Sequence, residues 1–391
     1  MKAFLTTAAA LLCGTLLGSE PRFRPVNIDT NIAIGYGLAI ADVDGDRRQD
    51  IVLCDKNQIA WYRNPDWRKA VIAENLTPQD HVCVAAADID GDSRAEIAVG
   101  AGWNPGDTVN SGAVFYLVPP QDRSRRWEAI RLPHEPTVHR MRWIRDADGK
   151  HVLVVVPLHG RGNNPQAGEG EPVRILQYRR PADPRSPWSV APVTRSDWLA
   201  LHKTHNVDAV SSDNTRPQSL VIAAKEGLFE VEASGSLRMV GTNAIGGSGE
   251  VRRGRLSGGP GGLFHASIEP MHGNTLSIYR QDGTGAVQRL VLDESLVDGH
   301  ALACGDLLGL GRDQIVVGWR AMNRPGVRVG LRLYIPEDAA GSSWRRVQVD
   351  DNTMACEDLA LADLDGDGRL DLVAAGRATR NVVVWFNETG R

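Results

Sequence analysis

The chain has 391 residues, a formal net charge of −4 and no basic run interleaved with aromatic residues, which argues against a nucleic-acid partner. Its 42% hydrophobic content is enough to build a large core, and 41 glycines with 21 prolines favour an all-β, turn-rich fold without long helices.

The first twenty residues, MKAFLTTAAALLCGTLLGSE, contain one lysine, an apolar stretch and small residues near their end. This pattern predicts a signal peptide over residues 1–20 rather than a transmembrane segment, and therefore a secreted or periplasmic protein. Cys13 permits a lipoprotein, but Leu12 before it is a poor fit to the small residue that lipidation requires, so anchoring is the less favoured alternative.

A loop with carboxylates at alternate positions recurs along the remaining chain, and its intact copies read DVDGDRRQD, DIDGDSRAE and DLDGDGRLD. Alternate carboxylates, a glycine that permits a sharp bend and a later acid can bring several hard oxygens onto one calcium ion. A hydrogen-bonded Asx turn without metal is the alternative. The candidate calcium ligands are Asp42, Asp44, Asp46, Asp50, Asp88, Asp90, Asp92, Glu96, Asp363, Asp365, Asp367 and Asp371.

Worn copies of this loop raise the number of units to seven, with loops that begin near residues 42, 88, 146, 212, 257, 306 and 363. Each unit continues with a second strand, an aromatic-bearing strand and a final strand, which is typical of one four-stranded propeller blade. The seventh unit lacks its final strand, and residues 23–29 have the pattern of a final strand with nothing before it. We therefore predict a seven-bladed β-propeller over residues 21–391, closed by this N-terminal strand in the last blade.

Through these motifs the chain resembles the FG-GAP or VCBS-type repeat β-propellers. The resemblance implies the propeller fold and its cation loops. It leaves function open, because that family includes adhesins, lectin-like proteins and enzymes.

Four cysteines follow the predicted signal peptide: Cys54, Cys83, Cys304 and Cys356. An even number in an exported protein would normally suggest disulfides. The repeat register, however, separates Cys304 from Cys356 by roughly 16 Å, at about 3.3 Å per residue, which is too far for a bridge. We expect buried free thiols.

The start of each inner strand, six or seven residues before its loop, carries a polar residue with a chemically useful side chain. Four of the ten histidines occupy these positions, where random placement would give roughly 0.2 for seven exact positions and roughly 0.5 with one residue of slack. Inner strands converge on the propeller axis, so His81, His139, His205 and His300 predict a site for zinc or another late first-row metal. Histidine packing in a half-wet channel, or simple duplication of one repeat, is the alternative. The other three units carry Tyr36, Glu250 and Glu357.

The turns after the second strands lie on this same face and have the composition of a sugar-binding rim. Trp103 and Trp319 could stack on a pyranose, and Arg161 and His272 could bind its oxygens. The candidate bases are Glu250, Glu357, His159 and Lys225, and Tyr36 or Arg320 could assist a leaving oxygen. Taken singly, each is more often an ordinary solvent-facing residue.

The inner-strand histidines in DHVCVAAADIDGD, VHRMRWIRDADG and THNVDAV, together with the DxDGD loops, resemble the propeller domain of the aldos-2-ulose dehydratases. The resemblance implies a zinc ion in the propeller cleft and a dehydration reaction. No cupin or lectin domain follows the propeller in this sequence, so an isomerase step assigned to such domains is not expected.

Three hypotheses remain, because no G-x-S-x-G, H-E-x-x-H, Walker or dinucleotide motif occurs. The first is a zinc-dependent carbon–oxygen lyase or dehydratase that acts by β-elimination on a keto-sugar or uronate-type substrate. The second is a non-catalytic carbohydrate- or protein-binding propeller, and the third is a metal-free polysaccharide lyase that uses histidine and tyrosine.

Overall fold

The computed structural model describes residues 20–390, except for 211–217, 233–234, 243–245, 257–261 and 283. The predicted signal peptide lies outside the described residues apart from Glu20, as do parts of the two worn loops expected near residues 212 and 257. No helix in the described ranges is long and apolar enough to cross a membrane.

The chain folds into seven antiparallel sheets of four strands, and each sheet corresponds to one unit of the sequence. Strands are numbered here in chain order. The first four blades contain β2 (Gly37–Ala41), β3 (Asp50–Cys54), β4 (Gln58–Arg63) and β5 (Arg68–Glu74); β6 (Cys83–Ala87), β7 (Glu96–Ala101), β8 (Ala113–Val118) and β9 (Glu128–Leu132); β10 (Val138–Arg145), β11 (His151–Pro157), β12 (Leu176–Arg179) and β13 (Ser189–Pro192); β14 (Thr204–Val210), β15 (Ser219–Ala224), β16 (Gly227–Val231) and β17 (Leu237–Gly241).

The last three blades follow the same order, except that the seventh takes its outer strand from the N-terminal part of the chain. They contain β18 (Glu250–Arg255), β19 (Leu263–Glu269), β20 (Thr275–Gln281) and β21 (Val287–Asp293); β22 (Gly299–Gly305), β23 (Gln314–Trp319), β24 (Gly330–Pro336) and β25 (Trp344–Asp351); β26 (Cys356–Ala362), β27 (Asp371–Gly376), β28 (Val382–Asn387) and β1 (Phe23–Asp29).

The hydrophobic core lies between neighbouring blades. Val52 and Trp61 of blade 1, for example, pack with Val84 and Ile97 of blade 2. The second and third strands are covered by a blade on each side, so they read as nearly continuous apolar runs rather than alternating ones. Five third strands carry a tyrosine that is less than 2% exposed, which gives each of these interfaces a large apolar surface. These residues are Tyr62, Tyr116, Tyr178, Tyr279 and Tyr334.

The predicted closure of the ring is confirmed. Strand β1 pairs antiparallel with β28, from Phe23 opposite Asn387 to Asp29 opposite Val382. Asp29 also accepts a hydrogen bond from the hydroxyl of Tyr62 in blade 1, at 2.6 Å. The first strand therefore completes blade 7 and contacts the blade that follows it around the ring.

The expectation of free thiols is also confirmed for the four described cysteines, three of which are buried. The aspartate loops and the starts of the inner strands occupy opposite ends of the propeller, as the meander requires. In blade 7, β26 begins at Cys356 and ends just before Asp363, which separates the two ends by about 20 Å at 3.3 Å per residue.

Candidate functional site

Four of the seven inner strands carry a β-bulge at the polar residue that the sequence analysis identified at the start of the strand. The pairing register shifts between Val138 and Arg140, between Thr204 and Asn206, between Gly299 and Ala301, and between Cys356 and Asp358. A bulge leaves one residue unpaired and re-aims its side chain, and bulges are common next to active sites. The unpaired residues are His139, His205, His300 and Glu357.

The bulges bring histidines from different blades into contact. The ring centroids of His139 and His205 are 4.8 Å apart, and those of His205 and His300 are 5.5 Å apart. His272, in the turn after β19, completes the group, with Nε2 at 2.7 Å from Nε2 of His205. One ring nitrogen each of His205, His272 and His300 lies within 4.8 Å of the other two. We call these three residues the histidine trio.

Hydrogen-bond partners behind the trio determine its tautomers. Nδ1 of His205 lies 3.1 Å from the carbonyl oxygen of Gly249, and Nδ1 of His300 lies 2.6 Å from that of Glu357. A carbonyl only accepts, so both rings carry their proton on Nδ1 and keep a lone pair on Nε2. Nδ1 of His272 lies 3.8 Å from a carboxylate oxygen of Asp298, beyond hydrogen-bond distance, whereas its Nε2 lies 2.7 Å from Nε2 of His205, so in the metal-free protein Nε2 of His272 carries the proton and donates.

The electrostatic surroundings keep the trio neutral. Burial and the positive charges of Arg140 and Arg320 lower the pKa of His205 well below its usual value, and burial and Arg320 do the same for His300. Partial burial, with the nearby His205 and Arg320, lowers the pKa of His272. Neutral imidazoles whose ring nitrogens converge are a donor set that zinc binds, and the metal would replace the proton shared by Nε2 of His205 and Nε2 of His272. The residues present therefore fit a metal ion.

Two carboxylates lie behind the trio, and both are engaged by other side chains. Glu357 accepts from Arg320 at 2.5 Å and from Arg377 at 2.9 Å. Glu250 is 2% exposed and accepts from the Asn206 side-chain amide. One of its oxygens lies 3.2 Å from Nδ1 of His205. These contacts favour a role in orienting the histidines over the base role predicted for Glu250 and Glu357.

One predicted metal ligand and three predicted sugar-binding residues, on blades 2, 3 and 6, contact other parts of the protein. His81 is fully buried, accepts from the Leu76 amide at 3.3 Å and is not part of the trio. Trp103 stacks on His139 at 4.8 Å. Trp319 is 3% exposed and donates its indole N–H to a backbone carbonyl of the same blade. Arg161 forms an ion pair with Glu135 at 3.1 Å.

Three residues predicted as a base or a proton donor lie in different surroundings. His159 is 1% exposed, and burial together with Lys203 lowers its pKa to about 4. Lys225 donates to the carbonyl of Ala167 at 2.7 Å, outside the trio. The hydroxyl of Tyr36 donates to Asp80 at 2.8 Å, and Arg377 lies over the Tyr36 ring at 5.4 Å. Arg377 thereby connects Tyr36 to Glu357 and the trio.

Sequence reasoning placed His272 on the rim and missed it as a member of the trio. Its backbone has a φ of 56°, a left-handed conformation that is uncommon for residues other than glycine. The turn that this conformation builds after β19 returns the ring toward the axis. The position of His272 in the sequence could have indicated this role. It follows a second strand, and the ends of second strands lie on the same face as the starts of inner strands.

The aspartate loops form three separate acidic groups at the opposite end. They are Asp42, Asp44 and Asp50; Asp88, Asp90 and Glu96; and Asp363, Asp365 and Asp371. Burial raises the pKa of Asp50 and of Asp371 to about 6, and that of Glu96 to about 7, with neighbouring carboxylates adding to each effect. Asp46, Asp92 and Asp367 are outside these groups.

The same loops form Asx turns. The carboxylate of Asp42 accepts from the amides of Gly45 and Arg47, both at 2.7 Å, and Asp306 of the worn loop accepts from two amides in the same way. The loop shape therefore does not depend on a full set of acids. The oxygen donors present in the three intact loops nevertheless fit calcium.

Comparison with known proteins supports the repeats and the fold. Residues 42–99 match the family model of the FG-GAP-like repeat, and residues 84–117 match that of the FG-GAP repeat. No curated protein matches the chain.

Two solved structures with similar folds illustrate the architecture. A chain in a crystal structure of the mitotic checkpoint complex is 13% identical, with a TM-score of 0.59 and coverage of 98% of both chains. A chain in a crystal structure of BBS1N in complex with ARL6DN, soaked with mercury, is 14% identical, with a TM-score of 0.60 and coverage of 96% of this chain and 99% of that one. At such identities the similarity concerns the fold alone. The chain is therefore a seven-bladed β-propeller that contains FG-GAP repeats.

Proposed function

We propose that the protein is a zinc-dependent carbon–oxygen lyase or dehydratase that performs β-elimination on a keto-sugar or uronate-type substrate in the propeller cleft. The observation that carries the proposal is the histidine trio, in which ring nitrogens of three neutral histidines converge while Nδ1 of His205 and of His300 are held by backbone carbonyls. Nitrogen ligands favour zinc or another late first-row metal over calcium. His272, with 40% of its side chain exposed, leaves the trio accessible from the cleft.

A zinc ion held by His205, His272 and His300 would act as a Lewis acid on a substrate carbonyl or carboxylate and make the neighbouring C–H acidic. The protein must then supply a base and a proton donor. Elimination is favoured over hydrolysis, because Glu250 and Glu357 are engaged by other side chains and do not form a free carboxylate pair.

We propose Lys203 as the base. It directly precedes β14, its backbone pairs with that of His159, and its charge contributes to the lowered pKa of His159 and of His205. Burial and the nearby Lys225 lower the pKa of Lys203 itself, which increases the fraction of the amine able to accept a proton. Burial and Asp80 raise the pKa of Tyr36 above its usual range, so its phenol stays protonated and could donate to the leaving oxygen.

The assay for this proposal measures elimination products from 3-keto-glycosides, 1,5-anhydrofructose and uronate polymers by enone or unsaturated-uronate absorbance. The zinc-loaded protein should form product from at least one of them, lose at least about tenfold in rate with a chelator, and recover when zinc is returned. His134→Ala is the matched control, since His134 lies on the same face but outside the trio. No product from any substrate would favour a non-catalytic carbohydrate- or protein-binding propeller, and turnover that survives chelation would favour a metal-free lyase.

The resemblance to the aldos-2-ulose dehydratases and the export of the protein are parts of the same proposal. The residues that support the resemblance are the inner-strand histidines His139 and His205, which contact one another at the axis. The first twenty residues support export, with lipid anchoring as the less favoured form. Amino-terminal sequencing of the exported protein would show whether cleavage occurs near residue 20.

We also propose that the three intact aspartate loops bind calcium for stability. The raised pKa values of Asp50, Glu96 and Asp371 come first from burial and then from neighbouring carboxylates, and a bound cation would offset both effects.

Calcium should then raise the melting temperature, and Asp90→Ala should reduce this increase while leaving the melting temperature in chelator unchanged. Asp90 suits the test because it is exposed and lies 3.9 Å from its nearest ion-pair partner, Arg180. Thermal melts with calcium and with chelator provide the measurement. Loss of elimination activity in a fully stable Asp90→Ala protein would contradict a purely structural role.

A further inference from the structure

Three arginines on the inner strands of blades 3 and 5 have the same conformation. Each donates Nη1 to the carbonyl oxygen of the residue before it, at 3.0 Å for Arg140, 2.8 Å for Arg142 and 2.6 Å for Arg252. Arg140 and Arg142 are two residues apart on β10, so they lie on one face of that strand. Since one nitrogen of each group is used locally, most of each guanidinium fork remains for other partners.

Contacts across β14 connect the arginines of the two strands. Arg252 donates to the side-chain oxygen of Asn206 at 3.1 Å, and the amide of Asn206 donates to Glu250. Arg140 donates to Nε2 of His139 at 3.0 Å, which places Arg140 beside the histidines. The arginines therefore continue inward from the histidine trio along the axis.

Carboxylates surround these arginines but form few close ion pairs with them. Among the described residues, the only carboxylate oxygen within 4.0 Å of the three guanidinium groups is Oε1 of Glu250, at 3.9 Å from Arg140. Asp208 accepts from the backbone amide of Arg253 at 3.0 Å, and Asp358 accepts from the backbone amide of Leu38 at 2.7 Å. These two aspartates attract the arginines from a distance, but they do not form close pairs with them.

The arginines also repel one another. Burial and the nearby Arg252 lower the pKa of Arg142, although Asp358 and Asp208 oppose this effect. For Arg252 the balance is reversed, because against its burial Asp208, Glu250 and Asp358 raise its pKa. Three partly buried guanidinium groups around one axis present many hydrogen-bond donors, and a bound oxyanion would accept from them and reduce the repulsion between their charges. A carboxylate suits it best, because its two oxygens match the planar fork of an arginine.

We infer that Arg140, Arg142 and Arg252 form an oxyanion subsite on the propeller axis, which binds the carboxylate of an acidic sugar. The identity of the sugar rests on the proposed function, whereas the anion site itself does not. Of the two substrate classes considered above, the subsite selects uronates over neutral keto-sugars.

The test is calorimetric titration of the chelated, metal-free protein with glucuronate, with its methyl ester and with glucose. Glucuronate should bind, and the uncharged ester and glucose should bind at least about tenfold more weakly, since they lack the carboxylate charge. Arg142→Gln and Arg252→Gln should each weaken glucuronate binding about tenfold or more. Arg142→Lys should recover only part of the affinity, because lysine keeps the charge but loses the fork.

Arg253→Gln is the matched control, because Arg253 is on the same strand as Arg252 but pairs with Glu230 at 3.2 Å on the other face. It should bind glucuronate as the unchanged protein does, and melting curves verify that all variants are folded. Equal affinity for the acid and the ester, or unchanged binding in both folded Arg→Gln variants, would overturn the inference. Glucuronate binding by a protein without elimination activity would support the subsite and reject the lyase. Elimination from neutral keto-glycosides without glucuronate binding would support the lyase and reject the subsite.

Discussion

Replacing His272 by alanine should abolish stoichiometric zinc binding and, with it, the elimination activity. The side chain supplies one of three converging nitrogens, and the two that remain would hold zinc at least about 100-fold more weakly. Inductively coupled plasma mass spectrometry of the dialysed protein measures the metal, and circular dichroism verifies the fold. His205→Ala should have the same effect.

A graded series separates this role from a structural one. Asp298→Asn leaves all three histidines in place but removes the charge that lies 3.8 Å from Nδ1 of His272, so zinc affinity should fall by about tenfold rather than disappear. His134→Ala should retain full zinc. The metal site would be wrong if His272→Ala and His205→Ala both kept one zinc per folded chain.

Deleting residues 22–30 should have the largest effect on stability. Phe23, Val26 and Ile28 are partly buried against the last blade and its neighbours, and β28 would lose its pairing partner. Loss of these apolar contacts should cost about 5 kcal/mol and expose a sheet edge that promotes aggregation. Urea denaturation of the protein with and without these residues gives the difference.

If the deletion prevents folding, a milder substitution in β1 tests whether this strand closes the ring. Val26→Asp places a charge in the partly buried face of β1 and should lower the free energy of unfolding by a smaller amount, about 2 kcal/mol. Arg24→Ala is a suitable control, because Arg24 is exposed and its ion pair with Glu388 lies at the surface. Unchanged stability on deletion of residues 22–30 would contradict closure by β1.

The fold was predictable because each blade repeats a strong local signal. The DxDGD loops identify the turn between the first two strands, and the missing last strand of unit seven directs attention to residues 23–29. The inner-strand positions followed from the same register, so His139, His205, His300 and Glu357 were correctly placed at the start of their strands.

The site was less predictable because its details depend on contacts between blades. No local pattern indicates the bulges that re-aim the histidines, or the left-handed turn at His272. Glu357 looked like a free base, but the structure surrounds it with Arg320 and Arg377 from two different turns. His81 had the right register and no bulge, and its ring bonds to the Leu76 amide instead of joining the trio.

The proposed lyase activity depends on one metal ion held on the axis by His205, His272 and His300. Crystals of the zinc-loaded protein, measured on both sides of the zinc absorption edge, test this most directly. A zinc ion bound by the trio should give one anomalous peak with Nε2 of all three histidines at about 2.0–2.1 Å. An axis without a zinc peak, or zinc confined to the aspartate loops, would contradict it.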